Sequence, residues 1–354
     1  MSRNLNTKKE IRKPKRVLIV RLDRLGDVLL STPVIKAVRE VVPDGYIAFM
    51  VRRYAKEILE GNPDLDEVIV YDKEGREKNL PRNLKFIASL RRKKFDIALI
   101  LHPTTRTHLI VSAAGIPDRV GYNKKMGFLL TKRIADTKHY GLKHETDYVL
   151  DILRHTGLEP KDKTLYMPVN IRSERRMEDI LKENGMSGGS VCVAINPGAS
   201  CASKRWKAEK FAEVGNALIE KYGVKVVVLS GEADKELGDK VSALLNEKCL
   251  NLSGKTSVAD IASVLRRVKL FISNDSGPVH ISCAVGTPVV AIFGRSDRGL
   301  SPKRWGPTGK RDVVLHKDVG CDECLAHNCK LGFKCLEAVT VDSVLAAAKQ
   351  ILGK

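Results

Sequence analysis

The stretch "RVLIVRLDRLGDVLLSTPVIKAVRE", residues 16–40, decides how this chain is read. Residues 17–20 are continuously apolar, as in a strand buried on both faces. Helical spacing follows over 27–41. Pro33 either kinks that helix or marks where its regular part begins after an irregular turn. A turn between first strand and first helix normally holds a glycine-rich phosphate loop. Here it holds Arg21, Asp23, Arg24, Gly26 and Asp27. The absence of G-x-G-x-x-G argues against a dinucleotide site at this point.

The same alternation runs outward. Strands are expected at 16–21, 46–51, 67–71, 96–101 and 119–122, with helices at 27–41, 54–60, 84–92 and 107–114. "HETDYVLDILRHTG" adds a helix that closes this half. "GLEPKDKTLYMPVNIRSE" breaks the rhythm with two prolines and mixed charge, and reads as a linker. Strands resume at 191–198, 224–231, 269–277 and 287–294, with helices at about 207–221, 234–246, 257–267 and 278–285 between them. The expectation is an α/β protein of two doubly wound, Rossmann-like domains, 1–165 and 166–354, facing a central cleft. Open α/β sheets bind ligands beyond the carboxyl ends of their strands. Residues 21–27, 196–206, 230–232 and 274–280 should therefore converge.

The chain has 354 residues, a formal net charge of +20 and 5% aromatic residues. Such charge implies an anionic partner: nucleic acid, a membrane surface or a phosphorylated substrate. Few aromatics weaken a single-strand nucleic-acid reading, since those sites stack bases on rings. No apolar run approaches the roughly 18 residues that span a bilayer. The basic start, "MSRNLNTKKEIRKPKR", lacks the apolar core of a secretory signal. On these features the protein is expected in the cytoplasm. Residues 82–94 add Arg82, Lys85, Arg91, Arg92, Lys93 and Lys94 without an acid. Together with the basic start they suggest attraction to the anionic inner face of a membrane; a merely solvated surface is the alternative.

Two segments have the makings of an anion site. In "NPGASCASKRWKAEKFAEV" (196–214), Gly198 permits a tight turn, Ser200 and Ser203 offer hydroxyls, and Lys204 an ammonium. A helix start near Lys207 adds free N–H groups. The alternative is a serine-rich loop with a surface lysine and a core-packed Trp206. In "SNDSGPVHISCAVGTPVVAIFG" (273–294), Asp275, Ser276 and Gly277 stand at a strand end and Pro278 suits a first helical turn. Asp275 also fits an N-cap, and His280 fits either a core histidine or a catalytic one. "SGEADKE" (230–236) offers a carboxylate for ribose hydroxyls or a solvated helix start. Asp27 reads either as a cap or as a general base across the cleft from these loops. "SGKTS" (253–257) fails as a Walker loop, because Cys249 stands where the leading glycine is required.

Eight cysteines divide into four scattered ones and "CDECLAHNCKLGFKC", in which Cys321, Cys324, Cys329 and Cys335 are spaced C-x2-C-x4-C-x5-C. Four such thiolates suit a structural zinc site that would pin the C-terminal segment. An iron–sulfur cluster uses the same ligands, and free thiols are the remaining reading.

These segments, in this order and spacing, resemble the lipopolysaccharide heptosyltransferase family, ADP-heptose-type glycosyltransferases of GT-B architecture (glycosyltransferase family 9). The "NPGA…KRW" form looks more like the second heptosyltransferase of core assembly than the first. The resemblance implies metal-independent, inverting transfer from an ADP-sugar to a phosphorylated glycolipid, with no cofactor needed for catalysis and nucleic acid not a partner. It places the catalytic aspartate on Asp27 and the donor-binding residues on Ser200, Lys204, Glu232, Asp275, Ser276, Gly277 and His280. Arg21 and Arg24 are expected to face the acceptor. Asp23 and Arg24 before "LGD" and the long basic start depart from the family's commonest forms. Similar cysteines occur in some members and not in others. Two other readings use the same architecture: a non-catalytic binder of nucleic acid or anionic membrane, and a nucleotide-sugar epimerase.

Overall fold

The structure, a computed structural model, describes residues 14–186, 189–321 and 323–353. The basic residues before Pro14, to which the membrane expectation partly refers, lie outside the described residues. Two six-stranded parallel sheets carry the chain. The first contains β1 (Arg16–Val20), β2 (Tyr46–Val51), β3 (Glu67–Val70), β4 (Ile97–Ile100), β5 (Asp118–Tyr122) and β6 (Lys132–Ile134), in the order β3-β2-β1-β4-β5-β6. The second contains β7 (Cys192–Asn196), β8 (Lys225–Val228), β9 (Leu250–Asn251), β10 (Leu270–Asn274), β11 (Val289–Phe293) and β12 (Val313–His316), in the order β12-β11-β10-β7-β8-β9. The four central strands of the second sheet thus sit where the first sheet has its own, and both sheets reverse direction beside their first strand. That reversal leaves a crevice at the carboxyl ends. The architecture is GT-B.

Burial explains which strands were legible. In β1 every residue after Arg16 is buried, and β7, β10 and β11 are buried throughout. Helices on both faces demand continuous apolar runs. Strands β6, β9 and β12 escaped the sequence reading. They are edge strands of three, two and four residues, all of them carrying charged or polar residues among the apolar ones.

The expected helix over 27–41 is two helices, Leu25–Leu29 and Thr32–Val41, the second opening on Pro33 in its first turn. Ser31 bonds back to the Asp27 carbonyl at 2.7 Å and Thr32 to the Leu29 carbonyl at 2.8 Å, bridging the break. Asp27 therefore lies inside the first short helix and is not its cap, which is Arg24. "SGKTS" has a plain structural use: Ser257 and Asp260 form a capping box for helix Val258–Leu265. The linker reading holds only to Asn170, whose side chain caps helix Ile171–Glu183.

Candidate functional site

The two halves touch where their strand ends face each other. Helix Leu25–Leu29 packs on helix Gly277–Val285. The contact is close because residue 26 is glycine: a Cβ there would lie 2.7 Å from His280 Cδ2. Above this contact opens a cleft cavity of about 350 Å³. From the first half Arg24, Gly26 and Asp27 line it. From the second come Asn196, Gly198, Ser200, Lys204, Gly231, Asp234, Asp275, Ser276, Gly277, His280, Arg295, Leu300 and Trp305. The loops expected to converge do so.

Asp27 is the most perturbed carboxyl in the cleft. Its Oδ1 accepts from Arg21 Nη2 at 2.8 Å. No other hydrogen bond engages its side chain among the described residues. Burial, and then the negative charge of Asp23, lift its pKa to about 7, against the pull of Arg21. One oxygen is thus anchored, on a carboxyl that lines the cleft and is poised near neutrality.

Arg21 does not face an acceptor, contrary to expectation. It is 2% exposed, and its guanidinium is committed to Asp23 at 2.8 Å, Asp27 at 2.8 Å and Glu145 at 3.1 Å. Two buried acids and the half-buried Asp23 around one buried cation keep it from reaching out. Arg24 is exposed, lines the cleft and approaches Ser200 Oγ of the other half at 3.5 Å.

Opposite lies a cationic floor. Lys204 Nζ and Arg295 Nη2 both reach Asp275 Oδ2, each at 2.9 Å. Burial pulls the Lys204 ammonium down from its ordinary value, and Asp275 opposes that. Asp275 is therefore not a cap; Ser276 stands at that position of helix Gly277–Val285. Asn196 holds the loop by donating to Ser273 and Ser276 hydroxyls, each at 3.0 Å. His280 is neutral, because burial pushes it down to about 4, and its Nδ1 has no hydrogen-bond partner among the described residues. Trp206 is core, with Nε1 bonded to the Val339 carbonyl.

The reading of "SGEADKE" needs adjusting. Glu232 is exposed and is not among the residues that line the cavity; the acid that lines it is Asp234, paired with Arg205 at 2.6 Å. Gly231 begins a 3-10 turn over Glu232–Asp234, and that turn carries the third residue inward. Arg295 and Glu145 were missed altogether. Arg295 follows β11 by two residues, so its strand-end position was the available signal. Glu145 had none, since its partners are distant in sequence.

The cysteine expectation is also corrected. Cys321, Cys324, Cys329 and Cys335 line one cavity of about 370 Å³ beside the Lys204 loop, all as free thiols. Among the described residues no group of three or more His, Cys, Asp or Glu side chains is arranged to hold a metal, so a structural zinc is not supported. Cys335 instead donates to the Gly294 carbonyl, and burial raises its thiol above the ordinary value.

The sequence model for "Glycosyltransferase family 9 (heptosyltransferase)" matches residues 83–334. The chain is 26% identical over 297 residues to lipopolysaccharide heptosyltransferase 2 of Escherichia coli, covering 81% of this chain and 85% of that one. A family 9 glycosyltransferase from Veillonella parvula superposes with a TM-score of 0.88 at 27% identity, over 96% of this chain and 98% of its own. The structure of E. coli ADP-heptose lps heptosyltransferase II shares the fold, with a TM-score of 0.77 at 23% identity over 96% and 99% of the chains. The family match begins after Asp27 but takes in both cationic loops of the second half. With the fold agreeing along nearly the whole chain, sugar transfer displaces the readings as a non-catalytic binder or an epimerase, and the protein belongs to glycosyltransferase family 9, the heptosyltransferases.

Proposed function

We propose that the cleft moves a heptose from an ADP-activated donor to a phosphorylated lipopolysaccharide-type glycolipid, with inversion and without a catalytic metal. The observation that carries this is Asp27, a carboxyl poised near pH 7 on one wall, opposite Lys204, Arg295 and the helix start at Ser276–Gly277 on the other. The second-half domain, 166–354, takes the donor, and 1–165 takes the acceptor. Ser200 and the N–H groups at 276–277 hold the diphosphate, and Asp234 rather than Glu232 is placed for the ribose. The acceptor hydroxyl oxygen attacks the anomeric carbon and the bond to the β-phosphate oxygen breaks. ADP carries the electron pair away, and the proton passes to the free Asp27 oxygen. Lys204 and Arg295 supply positive charge as the diphosphate departs, the electrostatic contribution that is usually largest. Arg24, at the mouth, meets the acceptor phosphate. His280, neutral and packed on Gly26, sets the spacing of the walls.

The test is transfer by purified protein from ADP-heptose to core lipid, offered both heptose-free and carrying one heptose, with chelator present, reading the anomeric configuration of the product by NMR. No transfer from ADP-heptose while another nucleotide sugar is used would overturn the donor; a retained configuration would overturn single displacement.

We further propose that the acceptor is met at an anionic membrane surface. Among the described residues no helix is long and apolar enough to cross a membrane. Helix Leu80–Arg92 begins at the carboxyl edge of the first sheet and exposes Leu80 and Leu84 beside Arg82, Lys85, Arg91 and Arg92. Apolar and cationic residues on one exposed helix favour anionic interfaces. Sedimentation with anionic vesicles should fall with salt and with Leu80→Asp; absence of binding at low salt would refute it.

A further inference from the structure

Glu145 opens helix Glu145–Arg154 and is 0% exposed. Its Oε1 accepts from Lys138 Nζ at 2.9 Å and from Arg21 Nη2 at 3.1 Å. Its Oε2 accepts from Arg304 of the second half, Nη2 at 2.7 Å and Nε at 3.0 Å, a two-pronged contact. Burial opposes the charge on Glu145, yet the three cations outweigh it and hold the carboxyl below the ordinary range. The Arg21 nitrogen that reaches Glu145 is the one that holds Asp27.

Arg304 lies in helix Pro302–Trp305 and also donates to the Lys138 and Gly299 carbonyls at 3.2 and 3.0 Å. Its neighbours Leu300 and Trp305 line the cleft opposite Asp27. A second tie runs alongside, His144 Nε2 with the Gly306 carbonyl at 3.0 Å. So a continuous run of charge-assisted bonds leads from the donor-side wall, through Arg304, Glu145 and Arg21, to Asp27.

We propose that Glu145 is a positioning residue that couples the seating of the 298–305 segment of the donor half to the orientation of Asp27. The inference rests on the reading of Asp27 as the base and deepens it. With Arg304 docked, Glu145 shares its charge among three cations and leaves Arg21 free to hold Asp27. With Arg304 withdrawn, Glu145 draws Arg21 toward itself and loosens its hold on Asp27. The proton affinity of Asp27 then reports the state of the joint. The other charged or titratable groups facing this region are Asp23, Tyr54, His102, Tyr122, Lys138 and Tyr148 from the first half, and His280, Lys204, Arg295 and Asp275 from the second. None of them joins the two halves through a buried carboxylate.

The test is the titration of the Asp27 carboxyl, followed by carbon NMR of carboxyl-labelled protein and assigned by the signal lost in Asp27→Asn. This readout does not require turnover. Glu145→Gln removes a negative charge and gives Arg21 wholly to its aspartates, so the Asp27 titration moves to lower pH. Arg304→Gln removes a positive charge and diverts Arg21, so it moves to higher pH. Shifts of about one unit in opposite directions are expected for single charges at this range. Addition of ADP should move the wild-type titration and leave that of Arg304→Gln in place. If ADP moves both alike, or neither variant shifts Asp27, the coupling is overturned, whether or not the protein transfers heptose. If the shifts appear but Asp27→Asn keeps full turnover, the coupling stands and the base assignment falls. Should Glu145→Gln fail to fold, Arg304→Gln alone decides, with Arg304→Lys expected to restore the wild-type response in part.

Discussion

The two halves share one sheet order and oppose each other in chemistry. In the first, a buried arginine is surrounded by acids: Arg21 binds Asp23, Asp27 and Glu145, and what reaches the cleft is a carboxyl. In the second, a buried acid is surrounded by cations: Asp275 binds Lys204 and Arg295, and what reaches the cleft is positive charge. Each half spends a buried counter-charge to hold its functional groups in place, since an unpaired buried charge is strongly unfavourable. The same scaffold thus presents a proton acceptor on one wall and an anion site on the other. Transfer needs both, at opposite ends of the bond being exchanged.

The sharpest way to break this contrast is to remove the acceptor wall's carboxylate. Asp27→Asn keeps shape and loses the base, so kcat should fall by about 10²–10⁴-fold while ADP affinity, measured by calorimetry, stays near wild type. Full turnover would reduce the first half to a platform. Lys204→Ala attacks the other wall. It should weaken ADP binding and lower kcat together, about 10²-fold in kcat, and it also strips Asp275 of one partner. Unchanged ADP affinity would remove Lys204 from the phosphate site.

A smaller effect tests the polarity of the first half through pH. Asp27 is protonated below about 7 and able to take a proton above it. The acid limb of kcat/KM should therefore rise roughly tenfold per pH unit below that point and level off above it. A limb near pH 4 would mean that Asp23 and burial do not govern Asp27. The smallest change concerns the contact between the walls. Gly26→Ala places a methyl group against the His280 ring, and such overpacking costs about 1–3 kcal/mol. The expected outcome is a lower melting temperature and a modest loss of kcat, both partly restored when His280→Ala is added. Without that rescue, the glycine acts through something other than the spacing of the halves.

Local pattern carried much of this protein. Continuous apolar runs marked every long buried strand, because a strand covered on both faces has no polar positions to spare. Those runs placed the turn at 21–27 and the loops at 196–206 and 274–280, and hence Asp27, Lys204, Asp275 and His280, on one cleft. Side-chain type alone named the candidates there. What the sequence could not decide was which of two neighbouring groups faces the cleft and which is buried to hold it. Arg21 and Arg24 look alike in the chain, yet one is buried among acids and the other exposed. Glu232 and Asp234 differ by two residues, and a single 3-10 turn determines that the second points inward. Four cysteines at metal-ligand spacing line a cavity without converging as ligands. Glu145 meets Arg21 across 124 residues of sequence and Arg304 across 159. Ion pairs of that separation leave no periodic trace; they exist only once two sheets, each folded by its own apolar pattern, are brought face to face.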